Sequence, residues 1–191
     1  MPDDCPFIVV GKPQILFSGK WLYVKETKFK KPGSDHLQTK PDGVDVIATL
    51  KKNGKKYFVL IKQYRFPLEG FCIEFPAGLI DPGEEALQAG LRELKEETGY
   101  TATKVVSVSP GIQSLDPGIT DDSVVFVTVE IDGDAPENLS PKQSLDEGES
   151  LEVLLVECDK ILDYINSIAG TVNIETMVYT FAVGFAMGRT F

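Results

Sequence analysis

Period-two alternation marks residues 21 to 30, where Trp21, Tyr23 and Lys25 share a face, and again residues 44 to 50. Both stretches predict strands. Residues 51 to 56 hold Asn53-Gly54, a hairpin dipeptide that tolerates positive φ at both central positions, and lead into an apolar, β-rich run at 57 to 63. A short strand at 71 to 77 ends at Pro76-Ala77-Gly78. The period then becomes helical: Leu87, Gly90, Leu91 and Leu94 fall at i, i+3, i+4 and i+7, a buried stripe. Asp81, Pro82 and Glu84 match an N-cap, a proline at N1 and a capping-box acid, so the helix is expected from about Pro82. Gly99 suits its left-handed C-cap. Further strands are expected at 102–108, 123–131 and 151–156, and helices at 159–168 and 175–187, their apolar faces serving core or subunit contacts. The polar stretch 133–148 is long enough to predict a mobile loop near function instead of a linker.

The central helix also carries an acidic face. A helix turns about 100° per residue, so Glu93 and Glu97 lie one turn apart with Glu96 beside them, bordering the apolar stripe. Carboxylates crowded at the edge of a core repel one another and lose water, a cost that a hard, oxygen-seeking cation such as Mg2+ relieves. A lone Arg-Glu-Leu-Lys-Glu-Glu run is ordinarily solvated surface, its acids paired with Arg92 and Lys95. Here Gly78, Glu84, Arg92, Glu93, Glu96, Glu97 and Gly99 stand in register with apolar Leu94 and Tyr100, which shifts the balance to a site.

This spacing is the Nudix box, Gx5Ex7REUxEExGU with U apolar, and the chain resembles the Nudix hydrolases. KQYRFPLEGFCIEFPAGLID before the box, SLDPGITDD after it and GES at 148–150 resemble the ADP-sugar pyrophosphatase branch, which splits ADP-ribose into AMP and ribose 5-phosphate; the likeness spans roughly residues 13 to 187. It implies an α/β/α sandwich with a mixed sheet, divided into an N-terminal β segment, 1–43, for dimerisation and base recognition, and a hydrolase domain, 44–191. It also implies two or three Mg2+ ions, with Mn2+ as a substitute, and a homodimer with shared sites. By the same resemblance Glu93, Glu97 and the Ala77 carbonyl are metal ligands, and Glu96 binds a further ion or acts behind them. Glu149 is the base or a ligand of the nucleophilic water, so Glu149, Glu96 and Glu97 form the catalytic set. Arg65 engages phosphate, the Leu79 backbone meets the substrate, Asp116 binds the terminal sugar and Trp21 stacks on adenine. Glu84 and Arg92 pair, holding the loop to the helix, with Gly78 and Gly99 structural. The chain departs from the branch between Lys28 and Asp42, a shortened stretch with Phe29 and His36 but neither tryptophan nor arginine, which opens base recognition to other arrangements. Another nucleoside-diphosphate sugar, an oxidised nucleoside diphosphate, or a nucleotide sensor without turnover are the alternatives.

Composition narrows the class further. At 191 residues and 42% hydrophobic content the chain can bury one sizeable core. A net charge of -10 disfavours polymeric nucleic acid and anionic membranes as partners. The single histidine, His36, in a polar stretch, removes histidine triads and two-histidine zinc sites and leaves proton chemistry to carboxylates. Cys5, Cys72 and Cys158 are scattered without CxxC spacing, which predicts reduced thiols. The acidic start lacks the marks of a signal peptide and no membrane-length apolar run follows, so a cytoplasmic location, with a nuclear share, is expected.

Overall fold

The computed structural model describes residues 8–9, 11–20, 22–26, 29–30, 40–145 and 149–190. Two compact units emerge, Met1–Thr39 and Lys40–Phe191, where the sequence suggests 1–43 and 44–191. In the first, β1 (Ile8–Val9) pairs antiparallel with β4 (Phe29–Lys30), and β2 (Gln14–Ser18) pairs with β3 (Tyr23–Glu26). The expected single strand at 21–30 is thus two short ones, and β2 was not foreseen. Ile15, Leu16, Phe17, Leu22, Tyr23 and Val24 are all exposed in the chain.

The second unit is built on a mixed sheet of β5 (Gly43–Lys52), β6 (Lys55–Arg65), β7 (Gly70–Glu74), β8 (Ala77–Leu79), β9 (Lys104–Val108), β10 (Gln113–Ser114), β11 (Ser123–Asp132), β12 (Leu151–Glu157) and β13 (Asn173–Ile174). Asn53 and Gly54, at φ 50° and 76°, make the expected tight hairpin between β5 and β6. Strand β5 lies parallel to β11 along its length. On its other edge it pairs first with β8 and then, from Ala48, with β6. Strand β6 likewise pairs with β5 in its first half and β7 in its second. The stretch expected as one strand at 71–77 therefore crosses between partners. It leaves β6 after Glu74, and past Phe75-Pro76, with Pro76 O accepting the Val46 N–H at 2.8 Å, it joins β5 as β8. Proline at the crossing costs no ladder hydrogen bond.

Helix α1 (Ala86–Thr98) packs Ala89 and Leu94 on one sheet face against Val44, Val46, Leu50, Val127 and Val129. Gly90 lets it approach: a Cβ there would stand 3.0 Å from Val127 and 3.2 Å from Val44. Helices α2 (Ile161–Ile168) and α3 (Thr176–Gly188) cover the other face, where Phe58, Leu60, Ile73 and Phe75 meet Ile165, Val178 and Ala182. This is the expected α/β/α layering.

Two local expectations need correction. Helix α1 begins at Ala86, not near Pro82, capped by Glu85 with Gln88 in a reciprocal capping box. Gly83 at φ 90° cannot continue a helix, and Asp81 to Glu84 form a separate turn in which Glu84 accepts the Asp81 N–H at 3.1 Å. The stretch after β11 is also more fixed than its polarity suggests. Buried Asn138 accepts the Thr101 N–H at 2.7 Å and donates to Asp132 O and Thr101 O, and Ser144 N donates to Glu96 O, so 133–145 is bonded to its surroundings.

Candidate active site

Ladder alternation around β8 aims the site. Val46 with Pro76 and Asp42 with Ile80 are hydrogen-bonded pairs, so the intervening Asp45–Ala77 and Gly43–Leu79 pairs are not, and the N–H and C=O groups of Ala77 and Leu79 point away from β5. Helix α1 meets them there. Ala77 N donates to Glu97 Oε2 at 3.0 Å, and Leu79 O accepts from Arg92 Nη2 at 3.1 Å. The Ala77 carbonyl therefore faces the same side as the Glu97 carboxylate.

Arg92 organises the rest. It holds Glu84 through Nε and Nη2 at 3.0 and 2.8 Å, and its Nη1 reaches Glu93 at 2.7 Å and Glu96 at 3.2 Å. Loop and helix are thereby tied by one planar fork, the pairing expected of Glu84 and Arg92. Gly78 is required by closeness, since a Cβ there would lie 2.1 Å from Glu93 Oε1. Gly99 takes φ 73° and leaves room for the Lys142 backbone.

Electrostatics single out two of the acids. Burial pushes Glu97, only 4% exposed, up to about 8, and the charges of Glu93 and Glu149 add to the rise against the Ala77 N–H. Burial likewise raises Glu93, with Arg92 opposing. The charge of exposed Glu149 thus adds to the rise of both. Among the described residues no three acids, cysteines or histidines already converge as a cage. The donor set nevertheless fits a hard divalent cation: all oxygen, acidic, costly to keep charged while buried, with Glu97 Oε1 and Glu93 Oε2 outside the hydrogen bonds of the described residues.

Arg65, at the end of β6, makes the Glu74 pair that competes with a phosphate role, through Nε at 2.9 Å and Nη2 at 2.6 Å. That pair uses one edge of the guanidinium and leaves Nη1 without a hydrogen bond among the described residues. Leu79 is exposed beside the box, with its carbonyl on Arg92. Asp116 sits in an exposed turn where its backbone carbonyl accepts the Ile119 and Thr120 N–H groups, and no hydrogen bond or ion pair links it to the box among the described residues. Trp21, His36 and Glu147 lie outside the described residues, as does the side chain of Phe29.

A second acidic group escaped the sequence reading. Asp45 is 3% exposed and its Oδ2 has no hydrogen-bond partner among the described residues, nor has the buried Oε2 of Glu175; Glu74 is buried on Arg65. Burial pushes Asp45 up to about 7, and burial with the Asp45 and Glu74 charges pushes Glu175 up to about 8. The signal was present in GVDVIATL, where an acid occupies the centre of an otherwise apolar strand. A carboxyl whose folded value exceeds its unfolded one contributes stability while protonated and loses it as pH rises from about 4.5 through 8. Glu175→Gln, which abolishes that charge, should therefore flatten the fall in melting temperature between pH 5 and 8 by several degrees, about 2 to 4 °C per kcal/mol for a chain of this size. Equal slopes in calorimetry for both proteins would refute this.

The sequence matches the NUDIX domain over residues 39–171. The chain belongs to the NUDIX domain family. A Caenorhabditis elegans protein named as a nudix hydrolase is 45% identical over 96% of the chain and 87% of its own length. The Saccharomyces cerevisiae ADP-ribose pyrophosphatase is 38% identical over 85% of the chain and 75% of its own, and the Mus musculus ADP-sugar pyrophosphatase 31% identical over 94% and 87%. A crystal structure of an ADP compounds hydrolase superposes with a TM-score of 0.62 at 17% identity, covering 99% of this chain and 98% of that one, which shows the shared fold. Nudix hydrolases generally use divalent metals, in keeping with the donor set around Glu97. Among the described residues, no helix is long and apolar enough to cross a membrane.

Proposed function

We propose that this Nudix hydrolase cleaves the diphosphate linkage of ADP-sugars, with ADP-ribose the leading substrate and AMP and ribose 5-phosphate the products. The observation that carries the reading is the buried Glu97 carboxylate on the outward Ala77 N–H, next to an Arg92-held Glu93 and under the charge of Glu149. The names of the yeast and mouse relatives support ADP-sugars as the substrate class. Glu93, Glu97 and the Ala77 carbonyl would hold Mg2+, two or three ions with Glu96 and Glu149 included, or Mn2+ in its place. When bound, the cations supply charge neutralisation on the diphosphate and an acidified water. Arg65 orients phosphate oxygens through its outer edge, preset by Glu74. Glu149 accepts the proton of the attacking water, and the exposed backbone near Leu79 borders the substrate. Asp116 serves the terminal sugar, and Trp21 stacks on adenine. A panel of nucleoside-diphosphate sugars and oxidised nucleoside diphosphates, read by product chromatography with Mg2+, tests the choice of substrate. ADP-ribose should show the highest kcat/KM, and a higher value for a non-adenine nucleotide would overturn it.

We further propose a homodimer with shared sites. Six large apolar side chains exposed on the β2–β3 hairpin are more than a lone soluble chain ordinarily leaves open, and support this reading. Light scattering should return twice the chain mass, with activity falling on dilution. A fully active monomer at every concentration would refute it. We place the protein in the cytoplasm, with a nuclear share.

A further inference from the structure

Three residues beyond the box close over the C-terminal end of α1. A helix ends with carbonyls that lack intrahelical partners. Here Lys95 O takes the Gly99 N–H at 2.9 Å, Glu96 O the Ser144 N–H at 2.8 Å, and Glu97 O the Gln143 side-chain Nε2 at 2.7 Å. The same Gln143 nitrogen also donates to Leu151 O at 3.2 Å. Both neighbours are carbonyl oxygens, so the amide can present only its NH2 end, and both of its protons are used. Lys142 is held in register as well, because its backbone occupies the space that a Cβ on Gly99 would fill.

Leu151 opens β12, opposite Gln63 on β6, and stands two residues after Glu149. Two residues of chain span at most about 7 Å. One amide therefore links the backbone of Glu97, whose carboxylate lies in the site, to the strand that delivers Glu149, whose charge acts on Glu93 and Glu97. Val153 of β12 also packs on the core cluster that holds Leu94, but among the described residues this amide is the hydrogen-bonded link between the end of α1 and the start of β12. The Leu151 carbonyl could turn to water, since its bond to Gln143 is exposed, and the bond to the Glu97 carbonyl is part-buried, so the bridge should matter only modestly to the fold.

We infer that Gln143 is a positioning residue for the hydrolase reaction: its amide, bridging Glu97 O and Leu151 O, sets where Glu149 stands relative to the box carboxylates. The inference rests on the proposed role of Glu149 and adds to it a residue outside the box.

A mutant cycle on the full-length chain tests it. Gln143→Leu should lower kcat for ADP-ribose by about tenfold to a hundredfold, the scale of a misplacement near 1 Å, with KM, Mg2+ dependence and melting temperature close to wild type. In a Glu149→Gln background it should cost nothing further, since there is no base left to place. Gln143→Lys, whose ammonium can donate to both carbonyls, should recover most of the rate. Gln143→Met, which matches the unbranched stem, runs the same cycle if the leucine variant is unstable. Unchanged kcat in Gln143→Leu, or an equal loss with and without Glu149, would overturn the inference, and a collapse of melting temperature in both apolar variants would make Gln143 a structural strut instead. If the wild type hydrolyses no ADP-sugar, the functional reading itself fails. If Glu149→Gln is slow while Gln143→Leu is not, only this inference does.

Discussion

Glu97→Gln should lower turnover by a hundredfold or more, on the order of 3 kcal/mol of transition-state stabilisation, while the protein stays folded. The amide keeps an oxygen for the Ala77 N–H, so the contact between α1 and β8 survives. What disappears is an acid whose ionisation burial and the charges of Glu93 and Glu149 already penalise. The melting temperature of the metal-free variant should therefore equal that of the wild type near neutral pH and exceed it above pH 8, where the wild type must carry the charge. Loss of rate without loss of stability separates a functional acid from a structural one. Near-wild-type turnover at saturating Mg2+ would remove Glu97 from the ligand set.

The two glycines of the motif should fail in opposite ways. In Gly78→Ala the new methyl would lie 2.1 Å from Glu93 Oε1 and 2.2 Å from its Cδ, but those atoms end a flexible side chain that can swing aside. The fold should survive and the site should not: displacing Glu93 by an ångström or more should cost about a hundredfold in kcat/KM. In Gly99→Ala the methyl would meet the Lys142 backbone at 2.3 Å, at a φ of 73°, and backbone cannot step aside. The left-handed conformation alone costs roughly 1 to 2 kcal/mol for a residue with a Cβ, so this variant should melt well below the wild type. Thermal denaturation and steady-state kinetics on both variants decide the matter, and matching losses of stability would refute the division of roles.

The box was legible because it combines two signals, a helical apolar stripe and acids at fixed offsets, and α1 delivers both. Its start was misplaced by four residues because Asp81-Pro82 and Glu84 imitate a helix entry. Gly83 at φ 90° is what forbids one, and a glycine does not announce its φ. The crossing at Phe75-Pro76 was invisible for a related reason: a short, mostly apolar run at 71 to 77 reads as one strand whether one strand partner or two receive it. Strands β10 and β13, two residues each, carry no period at all. The expected mobility of 133–148 followed from polar composition. Asn138 and Gln143 hold the described part through side-chain bonds to distant backbone, which composition does not encode. Arg65 is expected on phosphate, and the structure pairs it with Glu74, which only the fold brings opposite it, while leaving an outer edge of the guanidinium open. Asp45 and Glu175 could have been noticed as acids in apolar settings, but only the fold brings them towards each other.

The most direct measurement is a single reaction: the full-length chain with ADP-ribose, its products separated by chromatography, with Mg2+ and again after chelation. Equal amounts of AMP and ribose 5-phosphate with Mg2+, and intact ADP-ribose after chelation, are the result expected of carboxylates that work only around a cation. Intact substrate under both conditions, or cleavage at the same rate after chelation, would contradict it.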